Sequence, residues 1–584
     1  MDSAPAAYTR PSLREQVNYN SSAGYGSADP ARPPLVSATT ATTDALKSVP
    51  TKRKSSMASV TLYVMFSALI ASCSGLIFGY NVGVSGGVTS QPNFLESFFP
   101  GLVEQSSETV QSSYCKFNNQ GLQAFTSSLF LAGIVSSFGA SYVTKNFGRR
   151  ATLIIAGFLS LIGAALTASA VHIVMLIVGR ILLGFGAGFA NQAGPIYLSE
   201  IAPPNIRGLL NVMFQTMVGV GIFAANIVNF AVGYLDDKIG WRVALAGAAV
   251  PSLMLGVGGL VLVESPVSLI ERGRQEEGRL ILQKVRNTKN VDEEFQDMVS
   301  ACIAAQEKSQ NFRTVLKPNS RPQLTIAILC SVFQQLTGIN AIMFYAPALF
   351  QAVGFQSNAS LYSAAIVGAV NVLSTVASMF AVDRWGRKFL LIEGGVQMII
   401  AQVIIAAILG AQLKDGNNGV AASPLPQASG IIVVVFICVF VAGFGWSWGP
   451  ITWLLCTELF PVETRSAGQG FTVFFNLLAT FAIAQAFLSM LCGMKYGIFL
   501  FFTAWLILMT LFVMFFVPET KNIPLELIER VWRTHWFWKS VVDDETRDGL
   551  PVSEKARGLP RSQNVPADEL HRNTERSVEV TALS

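Results

Sequence analysis

The segment Gly148-Arg149-Arg150 returns 238 residues later as Gly386-Arg387-Lys388, and each copy lies between long apolar runs. Two further signals repeat at offsets of 258 and 255 residues: Glu200 and Arg207 return as Glu458 and Arg465, and Glu264-Ser265-Pro266 returns as Pro518-Glu519-Thr520. Chains built from two related membrane halves hold one site between the halves and expose it to each side of the membrane in turn. The repeat therefore predicts a two-lobed carrier.

The composition is that of a membrane protein. Of the 584 residues, 51% are hydrophobic and 13% are charged, whereas about 25% are charged in an ordinary globular domain. A membrane-spanning helix needs about 20 mainly apolar residues. Twelve runs meet this length, at about 60–91, 122–143, 151–171, 174–199, 208–234, 243–263, 323–353, 359–382, 389–412, 430–457, 466–491 and 496–517. A soluble protein is excluded, because twelve core helices would leave too little polar surface to cover them.

We expect an all-α membrane protein with twelve transmembrane helices in two six-helix, pseudo-symmetric halves. A polar, charged insert separates the sixth and seventh apolar runs, and both chain ends are polar and lack an apolar core. The predicted organisation is a disordered cytoplasmic tail at 1–56, a first half at 57–263 with an outer loop at about 92–121, a cytoplasmic helical connector at 264–322, a second half at 323–517 and a cytoplasmic tail at 518–584.

Basic residues accumulate on one side of this twelve-helix arrangement. Lys52-Arg53-Lys54, the insert at 271–321 and the repeated arginines all lie there, whereas the other side carries Glu96, Asp236 and few cations. The positive-inside rule then places both termini in the cytoplasm. The net charge of +5 is small, and the basic residues lie beside membrane ends, so nothing in the sequence indicates a nucleic-acid partner.

Several strings in the chain identify a family. They are Gly83-Val84-Ser85-Gly86-Gly87-Val88, Gly179-Arg180-Ile181-Leu182-Leu183-Gly184-Phe185-Gly186, Phe189-Ala190-Asn191-Gln192, Gln334-Gln335-Leu336-Thr337-Gly338-Ile339-Asn340 and Val517-Pro518-Glu519-Thr520-Lys521. Over residues 57–540 their ordered set resembles the sugar porter branch of the major facilitator superfamily, in particular the plant and green-algal sugar transport proteins, which are monosaccharide–proton symporters. The resemblance implies a plasma-membrane carrier of monosaccharides such as glucose, which works by alternating access and is not an enzyme.

The middle of the apolar runs carries neutral polar groups that suit a sugar. A hexose presents hydroxyls that donate and accept hydrogen bonds and flat C–H faces, which amides and aromatic rings match. Buried amides also hold helices together, but their convergence near one depth favours a sugar site. The candidates are Gln215, Gln334, Gln335, Asn340, Asn371, Trp453 and Asn476. The resemblance implies the same residues, with Phe78 and Ile222 as apolar neighbours, and Gly449-Pro450-Ile451-Thr452 is expected to break the tenth run.

The repeated charged residues lie at helix ends on the cytoplasmic side. We interpret them as an inner gate whose side chains pair across helices when that side is closed, and anchoring by the positive-inside effect contributes as well. The gate residues are Arg149, Arg150, Glu200, Arg207, Arg387, Glu458 and Arg465. Glu393, about one turn into the ninth run, is expected to pair with nearby arginines of this gate.

One position departs from the proton symporters. In the family a Gly-Tyr-Asp motif in the first run carries the proton, and an arginine that matches Arg180 is the partner of the aspartate. This chain reads Gly79-Tyr80-Asn81, and asparagine does not titrate. Facilitative sugar carriers of the same superfamily commonly read Gly-Tyr-Asn. Arg180 is left without an evident carboxylate partner, so we expect it to face water or to matter less here.

Two cysteines lie on the expected outer side, where disulfides persist. Cys115 belongs to the long loop before the second run, and Cys492 lies at the outer end of the eleventh run. The spacing alone does not show that they meet. The resemblance implies a disulfide between them that joins an outer lid to the second half.

Three functions remain as alternatives to a proton-coupled monosaccharide carrier. Asn81 favours a facilitative, uncoupled hexose uniporter. A transporter-like sugar sensor that does not transport is disfavoured, because the tail after Thr520 is short for that role. A channel lacks an ion-lined path. We expect no metal site and no cofactor, the proton as a possible co-substrate, a monosaccharide and the lipid bilayer as partners, and an activity for which a monomer suffices.

Overall fold

The computed structural model of the chain describes residues 61–101, 119–203, 206–233, 239–307, 315–316, 320–343, 357–412, 426–461, 464–521, 532 and 535–541. Within these ranges the chain is helical and contains no β-strand. The predicted tail at 1–56, the chain after Val541 and the part of the outer loop at 102–118 lie outside the described residues.

The first half and the connector form eleven of the described helices. They are α1 (Leu62–Val88), α2 (Pro92–Phe98), α3 (Gln120–Asn146), α4 (Arg149–Ala168), α5 (Ile173–Ile201), α6 (Arg207–Val232), α7 (Gly240–Ala246), α8 (Ala249–Val261), α9 (Pro266–Glu271), α10 (Gln275–Arg286) and α11 (Asp292–Glu307). Side chains fix several helix starts: Thr61 accepts from the Val64 amide of α1, and Asn119 accepts from the Gly121 and Leu122 amides of α3.

The second half forms the remaining described helices. They are α12 (Arg321–Leu336), α13 (Ser357–Trp385), α14 (Arg387–Gln412), α15 (Gln427–Trp446), α16 (Trp448–Leu459), α17 (Arg465–Met494) and α18 (Gly497–Phe516). Across both halves, twelve described helical segments are long and apolar enough to cross a membrane, which confirms the twelve predicted runs. The helices α7 and α8 form one such segment, as do α15 and α16.

The two halves meet along two helix pairs that the repeat relates to each other. The second span of the first half, α3, packs against the fifth span of the second half, α17. The fifth span of the first half, α6, packs against the second span of the second half, α13. The interface is therefore pseudo-symmetric, and the space between these pairs is where a shared site can form.

Two spans of the second half are interrupted near the centre of the bundle. The seventh span is interrupted at Thr337 and Gly338, where Gly338 takes a φ of +86° that other residues rarely adopt. The tenth span is interrupted at Ser447, between α15 and α16. Pro450 explains this position, because a proline ring clashes with the carbonyl four residues earlier, that of Trp446. The break expected at Gly449-Pro450-Ile451-Thr452 thus falls two residues before Gly449.

The connector lies at one end of the bundle, together with the repeated arginines, and this end is called the connector face. Ser265 starts α9 by accepting a hydrogen bond from the Ser268 amide at 3.2 Å, and Pro266 occupies the first helical position. The described part of this insert forms the helices α9, α10 and α11.

Gly79 shows how closely the helices approach. A Cβ added there would lie 2.0 Å from the Val218 carbonyl oxygen of α6, whereas a Cβ added at Gly139 in α3 would meet open space. We therefore expect Gly79→Ala to destabilise the fold by about 1–3 kcal/mol through overpacking, and Gly139→Ala to leave it unchanged. Thermal unfolding of the purified protein measures both, and equal midpoints for the two variants would contradict this packing.

Candidate functional site

A cavity lies between the two halves. The lining residues are Phe78, Val82, Phe214, Gln215, Val218, Ile222, Gln334, Gln335, Ile339, Asn340, Met343, Asn371, Phe444, Trp453 and Asn476. The structure thus brings together all nine side chains that the sequence suggested for a sugar site.

The two halves contribute different chemistry to the cavity. The first half supplies an apolar wall from α1 and α6, in which Gln215 is the polar exception. The second half supplies the other five amides together with Trp453, Phe444, Ile339 and Met343. Trp453 packs against Phe214 across the interface, with ring centroids 5.4 Å apart at 65°. The cavity therefore has an apolar, aromatic side and a side that donates and accepts hydrogen bonds.

Gln334 is the centre of the amide network. Its Nε2 donates to the carbonyls of Trp448 and Gly449, both at 2.9 Å, beside the break in the tenth span. Its Oε1 accepts from Asn476 Nδ2 at 2.8 Å and from Gln335 Nε2 at 3.3 Å. Gln335 in turn accepts a short hydrogen bond from Asn340, which follows the break in the seventh span. The network ties both interrupted spans to the cavity.

Asn371 is not part of this network. Its Oδ1 is buried and has no hydrogen-bond partner among the described residues. An unpaired buried acceptor is costly, and this oxygen belongs to a side chain that lines the cavity. Asn371 therefore offers a vacant acceptor to a bound polar molecule.

Hydrogen bonds join the halves on both sides of the cavity. Away from the connector face, Gln123 Nε2 donates to Ser489 Oγ at 3.1 Å, and Ser127 Oγ donates to Gln485 Oε1 at 2.6 Å. Toward the connector face, Asn211 Nδ2 donates to Thr457 Oγ1 at 2.7 Å. Contacts at both ends must open in turn if the cavity is to reach each side.

The repeated charged residues build the same arrangement in each half. Glu264 accepts from the Arg149 amide at 2.9 Å, and Glu519 accepts from the Arg387 amide at 3.1 Å. The preceding glycines, Gly148 and Gly386, have φ values of +98° and +93°. A Cβ at either glycine would strike the carboxylate at 2.2 Å or 2.6 Å, so both the turn and the close approach require glycine.

The guanidinium groups of these motifs pair with the repeated glutamates. Arg149 contacts Glu200 at 2.7 Å and Glu271 of the connector at 2.8 Å, and Arg387 contacts Glu458 at 2.9 Å. A hydroxyl completes each copy: Ser265 donates a short hydrogen bond to Glu200, and Thr520 donates to Glu458 at 3.1 Å. These pairs join helices of one half to each other and, through Glu271, to the connector.

The second arginine of each repeat acts between halves. Arg465, at the start of α17, is attracted by Glu200 and Glu271 of the opposite half and its connector. Arg207, at the start of α6, likewise attracts Glu458. Arg150 differs from the other predicted gate residues, because it donates to the carbonyls of Gly259 and Leu260 at the end of α8.

The connector takes part in this cluster. Burial, with the carboxylates of Glu271 and Glu200 nearby, raises the pKa of the Cys302 thiol to about 12. The thiol is free and protonated at neutral pH.

The two charged side chains inside the spans do not behave as expected. Arg180 is fully buried rather than facing water, its three nitrogens have no hydrogen-bond partner in the described chain, and its guanidinium lies 4.1 Å from the Phe125 ring centroid. Asn81 donates to the Ile77 carbonyl, and its Oδ1 is also without a partner there. Glu393 does not pair with arginines; it accepts from the Trp446 indole at 2.9 Å. That expectation was wrong because Arg387 is committed to Glu458.

Cys492 is disulfide-bonded, whereas the cysteines at 73, 302, 330, 438 and 456 are free. Cys115 lies outside the described residues. The pairing of Cys115 with Cys492 therefore stays a prediction.

Comparison with known proteins identifies the family of this chain. The family of sugar (and other) transporters matches residues 67–532. The chain belongs to this family. Sugar transport protein MST4 of Oryza sativa subsp. japonica is 54% identical over 503 residues, which cover 86% of this chain and 96% of that protein. Sugar transport protein 13 of Arabidopsis thaliana is 54% identical over 504 residues, which cover 86% and 95%.

Solved structures agree. The proton:xylose symporter XylE bound to 6-bromo-6-deoxy-D-glucose aligns with a TM-score of 0.68 at 25% identity, over 80% of this chain and 99% of that one. A double-tryptophan XylE mutant aligns with a TM-score of 0.69 at 27% identity. This protein is therefore a sugar transporter of the major facilitator superfamily and a multi-pass membrane protein, not an enzyme.

Sequence reasoning missed part of this transporter's cavity. Val82, Phe214, Val218, Ile339, Met343 and Phe444 also line it. Helical periodicity could have found Val82 and Val218, which lie four and three residues from Phe78 and Gln215. The positions of Ile339 and Met343 depend on the break at Gly338, which shifts the helix face by an amount that no spacing rule gives.

The buried ion pair at the connector face is testable against a surface pair. Glu200 and Arg149 have side chains 0% and 1% exposed, whereas Glu277 and Arg274 are 53% and 50% exposed. We expect Glu200→Gln to cost about 3–5 kcal/mol, because it leaves a buried guanidinium short of its partner. Glu277→Gln should cost about 0–1 kcal/mol. Thermal unfolding midpoints report both, and a Glu200→Gln variant as stable as Glu277→Gln would rule out the pair's structural role.

Proposed function

We propose that this protein carries monosaccharides, with glucose-like hexoses as the favoured class, by alternating exposure of the central cavity. The observation that carries the proposal is the division of the cavity between an apolar, aromatic wall and an amide network. A pyranose ring has the same division, since its C–H faces are apolar and its rim carries hydroxyls. The names of the sugar transport relatives and the glucose derivative in the XylE complex support a sugar of this size.

The neutral lining explains selection for an uncharged polyol. None of the fifteen residues that line the described cavity carries a charge. Amides donate and accept at once, so they match hydroxyls without a fixed polarity. A charged ligand would enter without a counter-ion, which is costly at membrane depth.

Transport requires the contacts between the halves to open at one end of the bundle and then at the other. The hydrogen bonds that join the halves on each side of the cavity must break alternately, while the attraction of Arg465 for Glu200 and of Arg207 for Glu458 restores closure on the connector face. We assign the connector face to the cytoplasm of a plasma-membrane carrier, with both termini on that side, because the basic residues concentrate there. The described lining of the cavity comes from one subunit, which supports a monomer as the active unit.

Asn371 provides a sharp test of the sugar site. Its Oδ1 has no partner in the described chain, so Asn371→Ala should weaken sugar binding while leaving the fold intact. The loss of one hydrogen bond corresponds to about 0.5–1.5 kcal/mol, or roughly a two- to tenfold weaker affinity. Binding of labelled glucose to purified protein measures it.

Asn229→Ala is the matched control. Asn229 is equally buried but donates to the Gly83 carbonyl at 3.1 Å, away from the cavity lining. Its loss should lower the unfolding midpoint and leave glucose affinity unchanged. The reverse pattern, with affinity sensitive to Asn229 and insensitive to Asn371, would sink the assignment of the cavity.

We further propose that position 81 carries no proton in this transporter, so the coupling step of the resembling symporters is absent at that position. An asparagine resembles a permanently protonated aspartate. The unpartnered nitrogens of Arg180 support this view, because a buried guanidinium without a carboxylate is what the loss of an acidic partner would leave. A facilitative hexose uniporter is the second candidate, and Asn81 is the observation that favours it.

Asn81→Asp tests the role of this position. The introduced carboxylate should add a pH-dependent step to glucose uptake beyond that of the unsubstituted protein. Uptake into proteoliposomes with and without an imposed proton gradient measures the change. An identical response to the gradient in both proteins would contradict the proposal that position 81 is a vacant proton site.

A further inference from the structure

We propose a second monosaccharide-binding site between the central cavity and the connector face, which a sugar occupies on its way out when the halves separate at that face. The inference rests on the proposed sugar transport and deepens it, because it assigns an exit step to groups outside the cavity. Four buried side chains build the site and are called the inner polar layer: Gln192, Asn211, Thr457 and Gln469. None of the four is among the described residues that line the cavity.

The inner polar layer lies on the helix faces that line the cavity, but closer to the connector face. Residues four or seven positions apart share one face of a helix. Asn211 lies four residues before the cavity residue Gln215 in α6, and Gln469 lies seven residues before the cavity residue Asn476 in α17. Both helices start at the connector face, so these steps lead toward it by roughly 6 Å and 10 Å.

Side chains of both halves meet in this layer. Asn211 Nδ2 of the first half donates to Thr457 Oγ1 of the second at 2.7 Å, and Gln192 Nε2 of α5 donates to the Ser466 carbonyl of α17 at 2.9 Å. Thr457 lies four residues after Trp453 in α16, again on the connector side of a cavity residue. Because α16 packs against α5, α6 and α17, the layer closes the path from the cavity while the halves are joined.

The layer holds more hydrogen-bonding atoms than the closed protein uses. Gln469 Nε2 and Oε1, Gln192 Oε1 and Asn211 Oδ1 are buried without a hydrogen-bond partner in the described chain. These three side chains are at most 3% exposed. Buried polar groups are nearly always paired, and an unpaired one costs free energy, so its presence needs a reason. The four vacant atoms become accessible when the halves separate here, and a molecule that leaves the cavity passes between them.

The vacant atoms suit a neutral polyol better than an ion. Three are amide oxygens that accept and one is an amide nitrogen that donates, whereas each sugar hydroxyl does both. An anion would meet one donor group among three acceptors. A cation would lie about one turn from Arg207 and Arg465, where Glu200 and Glu458 are already paired with other arginines. The layer therefore matches the same class of ligand as the cavity.

The test uses the full-length protein opened at the connector face. Arg207→Ala and Arg465→Ala together remove the attraction between the halves there. Equilibrium dialysis with labelled glucose should then count two molecules per transporter, one in the cavity and a second bound roughly tenfold more weakly, a difference of the order of one or two hydrogen bonds. Arg465→Gln alone is a milder opening and serves if the paired substitution prevents folding.

Gln469→Leu in the opened protein should abolish the second binding event and keep the first, because it removes two of the four vacant atoms and leaves the cavity lining unchanged. Gln397→Leu is the matched control. Gln397 donates to the Val439 carbonyl at 2.8 Å, between α14 and α15 and away from the layer, so its loss should leave two glucose molecules bound.

Crystals of the opened protein soaked with 6-bromo-6-deoxy-D-glucose give a second readout, because the anomalous scattering of bromine should show one peak in the cavity and another beside Gln469. A single glucose per opened transporter, two molecules retained in Gln469→Leu, an equal loss in Gln397→Leu, or water alone beside Gln469 would each overturn the exit site while leaving sugar transport intact. Absence of glucose binding to the unsubstituted protein would instead remove the proposed function itself.

Discussion

The constraint on which the site depends is that a helix interrupted inside a membrane must satisfy its backbone without water. At the break of the tenth span, the carbonyls of Trp448 and Gly449 are met by Gln334 Nε2. The nitrogen of Gln334 satisfies the carbonyls at the break, and its oxygen accepts hydrogen bonds from Asn476 and Gln335. The same contacts that satisfy the interrupted helix therefore hold these amides beside the cavity. Gln334 therefore stabilises the interrupted helix and also lines the cavity.

At the connector face the repeat builds the same kind of contacts in each half. In each half a glycine with positive φ lets a carboxylate reach two successive backbone amides, those of Arg149 and Arg150 or of Arg387 and Lys388. The guanidinium that follows then meets a glutamate at the end of a neighbouring span. Helix start and ion pair form one unit, so each half can move at this face as a rigid body.

The fold could be predicted from the sequence because length and hydropathy decide a membrane span almost alone. The cavity amides, such as Asn371 and Asn476, could be found because amides in the middle of apolar runs match the hydroxyls of a sugar. The partner of Glu393 could not be predicted, because it depends on whether Arg387 pairs with Glu458 or remains available to Glu393. The seven-residue spacing of Glu200 and Arg207 does not reveal their partners. Glu200 pairs with Arg149 of the same half, whereas Arg207 attracts Glu458 of the opposite half.

The uncharged lining of the cavity has an electrical consequence. A charge that crosses the membrane exchanges roughly 2.3 kcal/mol with each 100 mV of transmembrane potential. Since neither the described lining nor a neutral sugar carries charge, the potential does little work on the cargo as the halves reorient. Within the described spans, away from their ends, the charged side chains on which voltage acts are Arg180 and Glu393. Current recorded during turnover would therefore report on these two residues and not on the sugar.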